Sequence, residues 1–244
     1  MKKSPSISQF GDHGLIIRYS DEIDYKIHLQ LDTVTNKVLK KFKKYIEGYS
    51  IAYQESAIYF HPEFKIEKKI KKITQFITDI VPQEILEDQK EIIQIPVCYE
   101  KPFALDIDEL AQEKQIETSK IIDLHTSPIY PVYFIGFAPG FPYLGGMDKQ
   151  LSFPRKASPR KSVAAGSVGI AGNQTGVYPN ASPGGWNIIG RSPLCFFDVT
   201  KTQPSLLQAG DLIQFRSIDK KTFDHIEKQV ELGQYSLEKI ANND

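Results

Sequence analysis

An α+β fold in two unlike halves is predicted for this chain of 244 residues. Residues 1–99 alternate strand-like apolar runs with helix-period stripes in the order βαββαβ, which reads as a ferredoxin-like sandwich of two helices on an antiparallel sheet. From Gly136 to Gly190, eleven of the sixteen glycines fall within fifty-five residues, between short apolar runs. Many short strands joined by glycine-rich turns read as a closed or nearly closed β-barrel. A helical connector begins near residue 100 and separates the two.

In the first half, Gly14–Tyr19 is a β-branched apolar run and is assigned as a strand. Asp24–Ile46 carries Ile27, Leu31, Val34, Val38, Phe42 and Ile46 at helical spacing, with Gly48 as its stop. Tyr49–Gln54 and Ala57–His61 are two strands joined by a tight turn at Glu55-Ser56. A second helix places Ile66, Ile70, Ile73 and Ile77 on one stripe and closes at Pro82. Glu91–Cys98 completes the pattern as a strand. Two lysine clusters, Lys40, Lys41, Lys43, Lys44 and Lys68, Lys69, Lys71, Lys72, read either as a phosphate-binding surface or as the solvated faces of the two helices.

The connector holds two short helices, Asp106–Lys114, with acids in its first turn, and Thr118–His125. The barrel strands are expected at Tyr130–Phe137, Val163–Ala171, Trp186–Ile189, Leu194–Val199 and Leu212–Ile218. A tail helix is expected within Phe223–Ile240.

Composition narrows the function. Hydrophobic residues are 41% and charged residues 25%, an ordinary globular balance that excludes collagen-like and disordered chains. Thirty basic residues cancel thirty acidic ones, so no global attraction to nucleic acid or membrane is expected. No apolar run approaches the ~20 residues of a membrane span. The opening MKKSPSIS lacks the apolar core of a secretory signal. Cys98 and Cys195 show no metal-ligand spacing, so no metal is expected, and a reducing cytoplasm fits them.

The chemistry concentrates in the second half. Gly136–Gly146 (GFAPGFPYLGG) places Phe137, Phe141 and Tyr143 on a loop that glycine and proline keep out of helix. It reads either as a pocket wall or as a barrel corner with core aromatics. Between Gly136 and Phe197 the only acid is Asp148, against Lys149, Arg155, Lys156, Arg160, Lys161 and Arg191. Three of the five arginines fall here, and the planar guanidinium fork grips carboxylate or phosphate in two bonds. An anionic ligand is expected. Gly166–Gly176 lacks both the P-loop ending and the dinucleotide spacing, but its Asn173 and Gln174 are candidate polar contacts. His125, at the end of a short helix, is either a proton carrier or a helix C-cap.

The segments IIDLHTSPIYPVYFIGF, GFAPGFPYLGGMD and FPRKASPRKSVAAGSVGIAGNQTGVYPNASPGGWNIIGRSPLCFFD resemble the family of the 5-oxoprolinase B subunit, also called KipI-like or allophanate hydrolase subunit 1. Phe10-Gly-Asp-His-Gly-Leu and the paired strands of Tyr53–Pro62 extend the resemblance, with His61 standing where an acid is usual. The resemblance implies a ferredoxin-like domain at 1–99 and a cyclophilin-like barrel domain at 100–244. It implies a homologous larger subunit and a third subunit as partners, with ATP as co-substrate in opening 5-oxoproline to L-glutamate. On that footing Arg155 and Arg160 hold substrate carboxylate or phosphate. His125 shuttles a proton, Gly140, Phe141 and Tyr143 line the pocket, and Asn173 and Gln174 make polar contacts. The same resemblance carries two alternatives, an inhibitor docked on a sensor histidine kinase and an allophanate hydrolase-type component.

Overall fold

The computed structural model describes residues 5–19, 24–80 and 91–242. By its contacts the chain forms two units, Met1–Asp88 and Gln89–Asp244.

The first unit is built from β1 (Ser6–Phe10), β2 (Gly14–Arg18), α1 (Tyr25–Phe42), β3 (Ile46–Ile51), β4 (Glu55–Phe60) and α2 (Ile66–Thr78). Its sheet runs β1-β2-β4-β3, antiparallel throughout. Asp24 caps α1 by accepting the Ile27 N–H at 3.0 Å, which satisfies a donor that the first helical turn leaves open. Leu31, Val34 and Val38 of α1 and Ile66, Ile73 and Ile77 of α2 pack on Leu15, Ile17, Ile58 and Phe60 of the sheet. The helical stripes visible in the sequence are therefore the core faces.

Three expectations are corrected here. The helix ends at Phe42, and Ile46 already opens β3, because its side chain packs on the sheet core. The hairpin turn lies at residues 52–54, where the Ala52 N–H donates to the Glu55 carbonyl at 2.9 Å, so Glu55 and Ser56 are strand residues. The edge beside β2 is held by β1, a strand that the sequence pattern does not reveal. Glu91–Cys98, expected to close this sheet, pairs in the other unit. Pro82 lies outside the described residues. Of the lysine clusters, Lys41 Nζ lies 3.6 Å from the Phe76 ring centroid and Lys69 Nζ 4.0 Å from that of Phe64. These two stems cover core aromatics.

The second unit begins with β5 (Ile92–Cys98), then α3 (Ile107–Lys114), α4 (Thr118–Thr126), β6 (Tyr130–Ile135) and β7 (Pro142–Leu144). There follow β8 (Arg160–Val163), β9 (Ser167–Ala171), β10 (Gln174–Val177), β11 (Ser182–Gly184), β12 (Asn187–Arg191), β13 (Leu212–Ile218), α5 (Lys220–Glu231) and β14 (Lys239–Ile240). The main sheet runs β10-β9-β12-β5-β13-β6-β7, and its terminal strands β10 and β7 lie against each other, so the sheet nearly closes into a barrel. β5 and β13 pair in parallel over seven residues. Every residue of β5 is buried, which is why IIQIPVC is apolar at every position except Gln94, whose amide donates to Gln214 at 3.1 Å. On the other side of β5, β14 pairs Ile92 and Ile93 and β12 pairs Cys98, leaving Pro96, which has no N–H to give, opposite neither.

Inside the barrel lie Ile95 and Val97 of β5, Tyr130 and Val132 of β6, Val168 and Ile170 of β9, Ile189 of β12 and Phe215 of β13. Three expected elements differ. Val163–Ala171 is two strands separated by a turn at Gly166 (φ +78°), where a Cβ would stand 2.2 Å from the Ser192 carbonyl. Leu194–Val199 is irregular, with only a single bridge from Phe197 to Ser205. Two further strands, β7 and β10, are each too short to show a period in the sequence. The tail helix stops at Glu231, and the residues after Gly233 (φ +67°) run on to β14.

Candidate functional site

His125, in the last turn of α4, points into the barrel and is fully buried. Its Nε2 lies 2.8 Å from the Thr175 hydroxyl and its Nδ1 2.7 Å from the Tyr99 hydroxyl. The Thr175 hydroxyl donates its one proton to the Gly169 carbonyl at 3.1 Å, so it accepts from His125. Nε2 therefore carries the ring proton, and Nδ1 accepts from Tyr99. Phe215 stacks on the ring at 4.4 Å, and the Tyr130 hydroxyl donates to the His125 carbonyl. Burial pushes the imidazole pKa down to about 3, so the ring is neutral. Burial likewise raises the Tyr99 and Tyr130 phenols. This chain, Tyr99 to His125 to Thr175 to Gly169, ties α4 to β10 and β9 through the barrel interior.

The opposite face of the same strands carries a second cluster. Phe141 stands among Tyr143, Tyr178 and Trp186 at ring distances of 5.3, 5.9 and 5.5 Å, all steeply inclined. Val163, Ala171 and Ile188 complete this apolar patch. Gly176 of β10 lies under it, since a Cβ there would stand 3.0 Å from Phe141 and 3.2 Å from Trp186. Side chains alternate along a strand, so Thr175 reaches His125 inside while Gly176 meets the aromatics outside. Gly140 (φ +84°) lets the loop turn against Phe196 and Phe197, where a Cβ would meet Phe197 at 2.7 Å. Phe137 is 76% exposed with φ +66°, a conformation unusual for a residue with a Cβ, and lies 5.6 Å from Phe141.

The cations divide into held and free. Arg160 Nη2 donates to Asp106 Oδ1 at 2.6 Å, and Lys156 Nζ sits 3.0 Å from the same oxygen and 2.7 Å from Glu109. Burial alone pushes the Asp106 carboxyl up, but hydrogen bonds from Arg160, the Ile188 N–H and Lys156 outweigh it and hold the group below its ordinary value. For Lys156, desolvation is likewise overcome by Glu109 and Asp106, and its pKa rises. Arg191 donates from Nε to the Ala165 carbonyl at 2.8 Å and lies over Phe103 and Phe223, so it is structural. Arg155 is exposed, its guanidinium 6.0 Å from the Trp186 ring, and makes no ion pair among the described residues. Burial pushes the Tyr178 phenol up, while the Trp186 N–H and the charges of Arg155 and Arg160 pull the other way. Both arginines thus act on one hydroxyl at the edge of the aromatic patch.

A family model, the carboxyltransferase domain, subdomain C and D, matches residues 5–207. The chain is 39% identical over 227 residues to the B subunit of 5-oxoprolinase from Bacillus subtilis, covering 89% of this chain and 94% of that protein.

The chain belongs to the carboxyltransferase subdomain C and D family.

A conserved protein of Pyrococcus horikoshii, solved as a crystal structure, is similar at 37% identity and a TM-score of 0.53, over 89% of this chain and all of that one. The Kluyveromyces lactis urea carboxylase shares the fold at a TM-score of 0.74 and 19% identity, with 98% of this chain covering 24% of that far longer one.

In this carboxyltransferase-family chain, Arg155, Arg160, Phe141 and Tyr143 are brought together outside the barrel. Gln174 shares the strand face of Gly176 beneath them. Asn173 is exposed at the hairpin turn after Gly172. His125 is not with them, being enclosed inside the barrel on the other side of β10, where both ring nitrogens are engaged. Gly140 and Phe141 are buried supports of the loop, while Phe137 is its exposed aromatic. Gly166–Gly176 forms the β9–β10 hairpin, whose backbone is engaged in the strand ladder, so it offers no phosphate cradle. Asp106, Tyr178 and Trp186 are not singled out by the sequence. An acid before a helix reads as an ordinary cap, and nothing local indicates that Asp106 turns to the barrel. Among the described residues no cluster of three His, Cys, Asp or Glu could hold a metal, and no helix is long and apolar enough to cross a membrane.

Proposed function

We propose that the chain is the B subunit of a cytoplasmic 5-oxoprolinase, acting with a homologous larger subunit and a third subunit to convert 5-oxo-L-proline to L-glutamate. The observation that carries this reading is the 39% identity to a protein named as the B subunit of 5-oxoprolinase, over 94% of that protein's length. On this reading the first unit is a ferredoxin-like sandwich with β1 at its edge, and the second a cyclophilin-like barrel.

The chemistry explains the need for ATP as co-substrate. A lactam carbonyl is a poor electrophile, and phosphorylation of its oxygen supplies a leaving group before water attacks. What this chain contributes is binding and charge. Arg155 offers its full fork to the substrate carboxylate or a phosphate, matching two oxygens, and Arg160, with Nη2 held by Asp106, adds its charge beside it. Phe137 and Tyr143 border the bound ring, and Gln174 and Asn173 offer amides. His125, closed off with its proton on Nε2, acts by holding Thr175 and with it strand β10, the floor of the aromatic patch.

The test is ATP-dependent glutamate release from 5-oxoproline by the three purified subunits, each omitted in turn. Release that needs this chain supports the reading. Folded subunits that form a stable complex and release no glutamate would overturn it.

A further inference from the structure

Asp106 stands at the N-cap of α3, where an aspartate ordinarily accepts an N–H of its own first turn. Here it does not cap its helix. The carboxylate is 3% exposed and faces the barrel, accepting the Ile188 N–H at 2.6 Å on Oδ2 and Arg160 and Lys156 on Oδ1. The Asp106 N–H also donates to the Ile188 carbonyl at 2.8 Å, so residue 106 clamps β12 in both directions, two residues from Trp186. A second observation is independent of this clamp. Arg160 Nη1 is buried and has no hydrogen-bond partner. A buried donor left unmatched is costly, and such groups mark strain or function. A lysine at this position would satisfy Asp106 as a point charge, whereas a guanidinium held by one nitrogen fixes the other in its plane.

We propose that Asp106 is a positioning residue: by holding Arg160 Nη2 it fixes the guanidinium whose partly exposed edge, with the free charge of Arg155, receives a small carboxylate beside Trp186. The proposal deepens the 5-oxoprolinase reading, since 5-oxoproline is such a carboxylate. It also predicts a division of labour in the basic loop. Arg155 supplies uncompensated charge, Arg160 supplies direction, and Lys156 serves the Asp106–Glu109 framework.

Trp186 is the only tryptophan in the chain, so its fluorescence reports on the purified protein directly. The probes are 5-oxoproline and inorganic phosphate. The expected result is that wild type binds 5-oxoproline, and that Asp106→Asn and Arg160→Lys each weaken binding roughly tenfold. The double variant should bind no worse than the weaker single one, because both changes remove the same contact. Arg160→Lys keeps the charge and an ion pair to Asp106, so it remains informative if Asp106→Asn does not fold. Wild-type affinity in Arg160→Lys, additive losses in the double variant, or no binding of either probe by wild type would each overturn the proposal. Binding that behaves as expected, in a complex that releases no glutamate, would leave this anion site standing and remove the 5-oxoprolinase reading alone.

Discussion

Acidification should unfold the barrel unit through His125. The imidazole has a pKa of about 3 in the fold against 6.5 when exposed, because burial among Tyr99, Tyr130 and Phe215 disfavours the charged form. The folded value is depressed, so protonation favours the unfolded chain. The contribution is fully present above pH 6.5 and is lost as pH falls toward 3, at about 1.4 kcal/mol per unit. Between pH 6.5 and pH 4.5 the loss is about 3 kcal/mol, a large share of the roughly 5–15 kcal/mol that stabilises a typical domain. Urea unfolding followed by Trp186 fluorescence reads the unit that holds His125. His125→Gln removes the titration while keeping an amide that can donate to Thr175. It should be less stable than wild type by about 1–3 kcal/mol at pH 7.5, with part of a hydrogen-bonded chain broken. It should also lose about one proton's worth of slope between pH 6 and pH 4. The remaining carboxylates, Asp106 included, titrate in both proteins, so the difference between the two curves isolates the ring. Parallel curves would refute the assignment of His125 as a buried neutral base.

Three further outcomes are expected. Thr175→Val leaves the His125 Nε2–H without an acceptor and should lower stability by about 1–3 kcal/mol, with Thr175→Ser recovering most of it; both are read by thermal unfolding. Gly140→Ala places a Cβ 2.7 Å from Phe197 at φ +84°, and should lower the melting temperature by several degrees, from a cost of about 1–3 kcal/mol. Arg155→Ala removes an exposed side chain whose contact with Trp186 is worth only about 0.5–1 kcal/mol. Its melting temperature should therefore stay near that of wild type, while the KM of the reconstituted enzyme for 5-oxoproline rises about tenfold. An unchanged KM would remove Arg155 from the site.

Much of the fold is legible in the sequence because period and burial agree. The stripe Leu31, Val34, Val38 and the stripe Ile66, Ile73, Ile77 each face one core, and Leu212–Ile218 is the strand its short apolar run indicates. Strand partnership is not legible. Glu91–Cys98 reads as a strand, yet its apolar run fits either sheet, and only the seven-residue parallel match to β13 decides between them. β1 escapes notice because Ser6–Phe10 is mostly exposed and shows no clean alternation. In the site, the excess of positive charge around Arg155 and Arg160 is visible in the sequence, but its partial neutralisation is not, since Asp106 lies fifty-four residues from Arg160. The grouping of His125 with the arginines fails for a reason of strand geometry. Thr175 and Gly176 are adjacent in the chain, and a strand sends neighbours to opposite faces.

The most direct test of the account measures ADP and glutamate together in the reconstituted complex, with this chain present, absent, or carrying Arg155→Ala. The account predicts that 5-oxoproline turnover couples ATP hydrolysis to glutamate release only when the chain is present, and that Arg155→Ala restores coupling at raised substrate. Equal coupled turnover with the chain absent would contradict it.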